Sequence, residues 1–189
     1  MEGMTIRNNK LPIEVKSKMF FRVWLFLGSF GLGAASLWMF YMGITFQTKF
    51  YLLAIPAGLL FSFFFFVLFL IAFPAFTKRG SVIFSIIEGE DGRLFSGKKS
   101  VNIKDIKSIK MGRHRYSPKG IFFMDVLIQT RANGLVRIPT YNILPEPEFY
   151  KAVELHLLQY MTEEARADWI GQFTEAQRKA YLNTFHKDI

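Results

Sequence analysis

The sequence contains no cysteine, which removes disulfides, thiolate nucleophiles and thiolate metal sites together. Its histidines are His114, His156 and His186. No two of them stand at metal-ligand spacing, so neither a metal nor a cofactor is expected. Charge is nearly missing from one long stretch: between Val23 and Phe76 only Lys49 is charged at neutral pH. With no acid, base or histidine in mid-run, the sequence argues against a proton relay or a coupled transporter made from this chain alone. Gly28, Gly31 and Gly33 do not follow a strand and are not a phosphate loop. Ser96-Gly97-Lys98-Lys99 has Ser-x-x-Lys spacing, but it sits in a turn, whereas that nucleophile motif needs a helix. No catalytic residue emerges, and the chain is read as a non-enzyme.

Phenylalanine and aliphatic residues fill the uncharged stretch. The runs Val23–Phe46 and Phe50–Phe76 are about 24 and about 27 residues long, against roughly 20 needed to cross a hydrocarbon core. Only Gln47, Thr48 and Lys49 part them, enough for a turn, so the pair reads as an antiparallel transmembrane hairpin. Arg7, Lys10, Lys16, Lys18 and Arg22 precede it, and Lys78 and Arg79 follow. That excess predicts a two-span cell-membrane protein with both termini cytoplasmic. A cleaved secretory signal, with Gly33, Ala34 and Ala35 as its small residues, is the competing reading; it fits poorly because the apolar run continues to Phe46.

Small residues recur at helical spacing, Ser29, Gly33 and Ser36 on the first span and Ala54, Gly58 and Ser62 on the second. They predict helix-helix packing inside the hairpin, with Gly33 at the depth of Ser62 and Gly43 at that of Ala54; a homo-oligomer is the alternative use of the same pattern. Pro56 and Pro74 are read as a kink and an end.

After Gly80 the pattern becomes short β-like runs: Ser81–Ile87, Arg93–Ser96, Val101–Met111 with a bulge or bend near Lys104 and Asp105, Ile121–Thr130 and Leu135–Pro139. Ala132-Asn133-Gly134 is a hairpin turn. Pro145 and Pro147 open a helix over residues 148–161, and Thr174-Glu175-Ala176-Gln177 is a capping-box pattern within a helical tail. The expected organisation is a basic N-terminal segment (1–22), the hairpin (23–76), a cytoplasmic domain (80–161) and the tail (162–189).

Strands followed by one amphipathic helix is the order of a pleckstrin-homology domain. The stretch Gly92-Arg93-Leu94-Phe95 through Val101-Asn102-Ile103-Lys104-Asp105-Ile106-Lys107-Ser108-Ile109-Lys110 resembles bacterial PH-like domains, some of which carry two membrane helices ahead of the domain. The resemblance implies a membrane α-helical hairpin plus α+β fold, with an antiparallel PH-like β-sheet or barrel capped by a C-terminal helix. It also implies a binding or scaffolding role, although fold alone names no ligand.

Taken as one strand, Val101–Met111 puts the acidic turn at Glu88 and the basic loop at Arg113 at one end of the domain, and the turn at Gly97 at the other. Lys78, Arg79, Lys98 and Lys99 are then expected at the membrane surface, and Arg113, Arg115, Tyr116 and Lys119 at a protein partner. Nucleic-acid binding is not expected, because the basic residues lack an interleaved aromatic platform. The functional expectation is a membrane-anchored PH-like scaffold for a protein partner. An immunity protein against a toxin, or an accessory subunit of a membrane transport complex, is the alternative. The topology predicts that a membrane-impermeant thiol reagent outside intact cells labels Thr48→Cys and spares Ser117→Cys; the reverse pattern overturns it.

Overall fold

The computed structural model describes residues 11–77, 79–113 and 118–174. It is an α+β protein with antiparallel sheets and two long apolar helices, the first made of α1 (Met19–Phe26) and α2 (Leu32–Ile44), the second formed mainly by α3 (Tyr51–Ala72); the short α4 (Pro118–Phe122) lies later in the chain. The chain divides into two compact units. One is built from residues up to Lys16, Val82–Thr140 and Leu144 onward, the other from Ser17–Ser81 with Tyr141–Ile143.

The β unit starts with a strand that the sequence reading did not anticipate. β1 (Ile13–Lys16) pairs antiparallel with β2 (Val82–Ile87), Ile13 opposite Ile86 and Lys16 opposite Val82. β3 (Arg93–Ser96) and β4 (Lys99–Asn102) complete a sheet of order β1-β2-β3-β4. The run expected as one strand with a bend is two. A 3-10 turn at Ile103–Asp105, started by the Asn102 side chain accepting from the Lys104 N–H at 3.0 Å, separates β4 from β5 (Ile106–Gly112). β6 (Asp125–Thr130) and β7 (Leu135–Pro139) join β5 in a second sheet, and no closed barrel forms among the described residues. Asn133, at φ 58°, takes the left-handed position of the β6–β7 turn.

The expected helix over 148–161 is shorter and is followed by another. α5 (Glu146–His156) gives way to a 3-10 turn at Leu158–Tyr160, and α6 (Glu163–Gly171) begins after Thr162. The capping-box pattern extends beyond the described residues. Phe84, Phe149 and Trp169 are fully buried, and their rings meet edge to face, Phe84–Phe149 at 6.5 Å and Phe149–Trp169 at 5.9 Å. One strand and two helices of the β unit are thereby locked together.

In the other unit the two helices, Met19–Ile44 and Tyr51–Phe76, are 26 residues each, long and apolar enough to cross a membrane. The first contains a π-helical turn at Leu27–Gly31; the second contains Pro56 and closes in a 3-10 turn at Phe73–Phe76. Near the turn their backbones nearly touch. A Cβ added to Gly58 would lie 2.6 Å from the Phe40 nitrogen, and one on Gly43 would lie 2.9 Å from Ile55 Cγ1. Gly33 instead faces Phe65 and Phe66, one turn beyond the depth expected for it. Toward the other end phenylalanine fills the gap, with Phe30–Phe69 at 5.4 Å and Phe26–Phe69 at 6.0 Å. Ser29, Gly33, Ala54, Gly58 and Ser62 are buried and Ser36 is half-buried. The serine hydroxyls donate to carbonyls of their own helix, Ser29 to Leu25 at 2.6 Å, Ser36 to Leu32 at 2.7 Å and Ser62 to Leu59 at 3.0 Å, leaving no unspent donor.

Two outcomes follow. Gly58→Leu should weaken hairpin packing by about 1 to 3 kcal/mol through overpacking, whereas Leu59→Ala, on an exposed position, should change the melting point in detergent little; equal effects would put the helix contact elsewhere. A chain that begins at Val82 loses β1 and should be about 1 to 3 kcal/mol less stable than one in which a short loop joins Lys16 directly to Val82. Equal denaturation midpoints would show that β1 is dispensable.

Candidate functional site

Gly97, at φ 60°, and Lys98 form the two-residue link between β3 and β4, a turn whose first position favours glycine. Ser96 Oγ donates to the Ile83 carbonyl at 2.8 Å, so this turn lies beside the start of β2. Lys98 and Lys99 are exposed, and Lys99 Nζ also donates to the Arg137 carbonyl of β7 at 2.6 Å.

The break at Ile103–Asp105 corrects the placement of the second basic group. The Ile103 N–H donates to the Gly92 carbonyl at 2.9 Å, so β5 begins beside the acidic turn of Glu88, Glu90 and Asp91. The Arg131 N–H donates to the Asp105 carbonyl at 2.9 Å and brings the β6–β7 turn to the same place. Exposed Arg113 follows the last residue of β5, at the strand's other end, and does not share an end with the acidic turn. Lys78, Arg115 and Tyr116, with the side chains of Arg79 and Lys119, lie outside the described residues.

Two polar pairs went unread in the sequence. Buried Asp125 is paired with Arg137 across the β6–β7 hairpin. His156, at the C-terminal end of α5, meets Glu88 at 2.8 Å and ties that helix to the acidic turn. Neither pair had a sequence signal, since the partners are brought together only by the strand order. Among the described residues no three His, Asp or Glu side chains are grouped as metal ligands are.

The sheet edges differ from one another. α6 packs along β5, and Gln172 Nε2 donates to the Ile109 carbonyl at 3.2 Å, which covers that edge. β4 and β7 are linked through Lys99 and Arg137. Among the described residues β1 carries no further strand, and a groove runs between it and α5, lined by Ile13, Glu14, Val15 and Lys16 on one side and by Glu148, Lys151, Ala152, Leu155 and His156 on the other. A signal for this strand was present: Ile13-Glu14-Val15-Lys16 alternates apolar and charged residues directly after Pro12.

The chain is 59% identical over 177 residues to the uncharacterized lipoprotein YfjD of Bacillus subtilis (strain 168), an alignment covering 94% of this chain and 96% of that protein. It is 49% identical over 142 residues to the uncharacterized protein YfjE of the same organism, covering 75% of this chain and 93% of the relative. No solved structure matches it. Residues 11–179, from just before β1 to beyond α6, match the model of a family of unknown function, DUF5381, and the chain belongs to that family.

Proposed function

We propose that this protein is a non-enzymatic, membrane-anchored PH-like module that binds a protein partner at the cytoplasmic face of the cell membrane. The observation that carries the reading is that the apolar hairpin is inserted between two paired strands, β1 and β2, of a seven-stranded unit. Short antiparallel strands followed by an amphipathic helix are the order expected of a PH-like domain, and the sheets followed by α5 support that reading. The apolar helices support the membrane assignment: Leu52 is 73% exposed and Phe63 70%, a surface that water does not tolerate over two whole helices. A relative is named a lipoprotein, but none of the 189 residues here is a cysteine, so a thioether-linked lipid has no attachment atom in this sequence. The hairpin itself is the proposed anchor.

Photo-crosslinking residues placed one at a time at Lys98, Arg113 and Leu155 of the full chain, in native membranes, test the reading. The expected result is a discrete protein adduct from at least one position. Adducts to lipid alone at all three would favour a lipid-headgroup sensor, and reproducible turnover by the purified protein would replace the binding role with a catalytic one.

A further inference from the structure

β1 is four residues long, and among the described residues only β2 pairs with it. Alternate residues along it direct their N–H and C=O groups away from β2, and among the described residues no hydrogen bond reaches them there. Facing this edge is one stripe of α5, Glu148, Lys151, Ala152, Leu155 and His156, at helical spacing. The groove between them measures about 220 Å³, room for side chains of an extended segment and too little for a folded element.

Two features separate this groove from an edge that is merely protected. Glu14 and Lys16, paired with each other at 2.9 Å, and the irregularity between Val15 and Lys16 are devices that discourage indiscriminate strand pairing. Protection alone would also place polar side chains alongside, yet Leu155 is 53% exposed there, next to Ala152. The charges are not balanced either. Glu14 and Lys16 satisfy each other, His156 is held by Glu88 and Glu148 has a partner, whereas Lys151 makes no hydrogen bond or ion pair among the described residues. What complements this groove is an extended backbone that carries an apolar side chain for Leu155 and a carboxylate for Lys151.

We infer that the groove between β1 and α5 is a peptide-binding site that takes an extended, acidic and apolar segment of a partner protein as an added strand on β1. The inference rests on the proposed binding role and specifies where and how the partner is held. The apolar residue of the partner strand packs on Leu155 and Ala152, the carboxylate pairs with Lys151, and main-chain hydrogen bonds to β1 supply much of the affinity.

The test uses the full chain purified in detergent and a displayed library of random linear peptides. Selected peptides should combine an apolar and an acidic residue, and N-methylation of alternate amides should abolish their binding while the intervening amides tolerate it. Leu155→Glu and Lys151→Glu should each weaken binding by about tenfold or more, Leu135→Glu on β7 should not, and amide exchange at residues 13–16 should slow when peptide binds. Both groove variants alter side chains that are not fully buried, so unchanged melting points verify that they fold. Failure to select any peptide, indifference to both groove substitutions, or tolerance of every N-methylation overturns the site. Self-association dissolved by Leu155→Glu would make the occupant a second copy and overturn the assignment to a partner. A protein crosslinked from Lys98 or Arg113 but not from Leu155, while the β1 amides stay unprotected, rejects the groove but leaves the binding role standing; no crosslinked protein from any position removes both.

Discussion

The pairing of β1 with β2 is the constraint on which the rest of the architecture depends. Lys16 lies opposite Val82, although the whole apolar hairpin intervenes in the chain. The hairpin must therefore return to the level from which it left, and two helices of 26 residues each do so. Its open end is tied accordingly: the Ser17 N–H donates to the Ser81 carbonyl at 2.9 Å, and the Arg22 guanidinium donates to the carbonyls of Ala75 at 3.2 Å and Phe76 at 2.9 Å. Those carbonyls belong to the last turn of the second helix, which has no later N–H to satisfy them. Gly80 completes the closure, because a Cβ there would run into the Pro74 carbonyl.

Inside the hairpin the packing changes character along its length. The close approaches of Gly43 to Ile55 and of Phe40 to Gly58 are each centred on position 49, and the approach of Gly33 to Phe65 keeps the same register. Glycine backbones permit the close approach near the turn; phenylalanines of both helices fill the contact toward the open end. In lipid, which offers no hydrophobic drive between helices, such shape matching is what holds an antiparallel pair, and the serines satisfy their hydroxyls within their own helices. The aromatic excess of the sequence thus has a packing role as well as being apolar bulk.

Much of this was legible in the sequence. The two apolar helices, strands β3 and β7 and the Asn-Gly turn follow from period and turn chemistry, which act over a few residues. β1 was missed for a physical reason: Lys16 and Lys18 belong both to a strand end and to the basic flank of an apolar helix, and the flank is the louder signal. The break at Ile103–Asp105 was visible only as a shift of register. Whether such a shift is a bulge or a change of sheet depends on hydrogen bonds from Gly92 and Arg131, distant in sequence. That single ambiguity reversed the end of the unit to which Arg113 was assigned. The groove beside β1 was illegible for the same cause, since without the strand Leu155 looks like one more apolar residue of an amphipathic helix.

An inserted hairpin differs from an N-terminal one in what the chain permits. A domain carried after its membrane helices hangs on one linker and can swivel about it. Here the chain leaves β1 into one long helix and enters β2 after the other, so the hairpin is joined to the strand pair through two connections and not one. A strand edge is a directional binding surface, since the added strand has to arrive with its backbone along β1. In the proposed binding role, the same strand pair that receives both ends of the hairpin also offers the edge to which a partner strand is added.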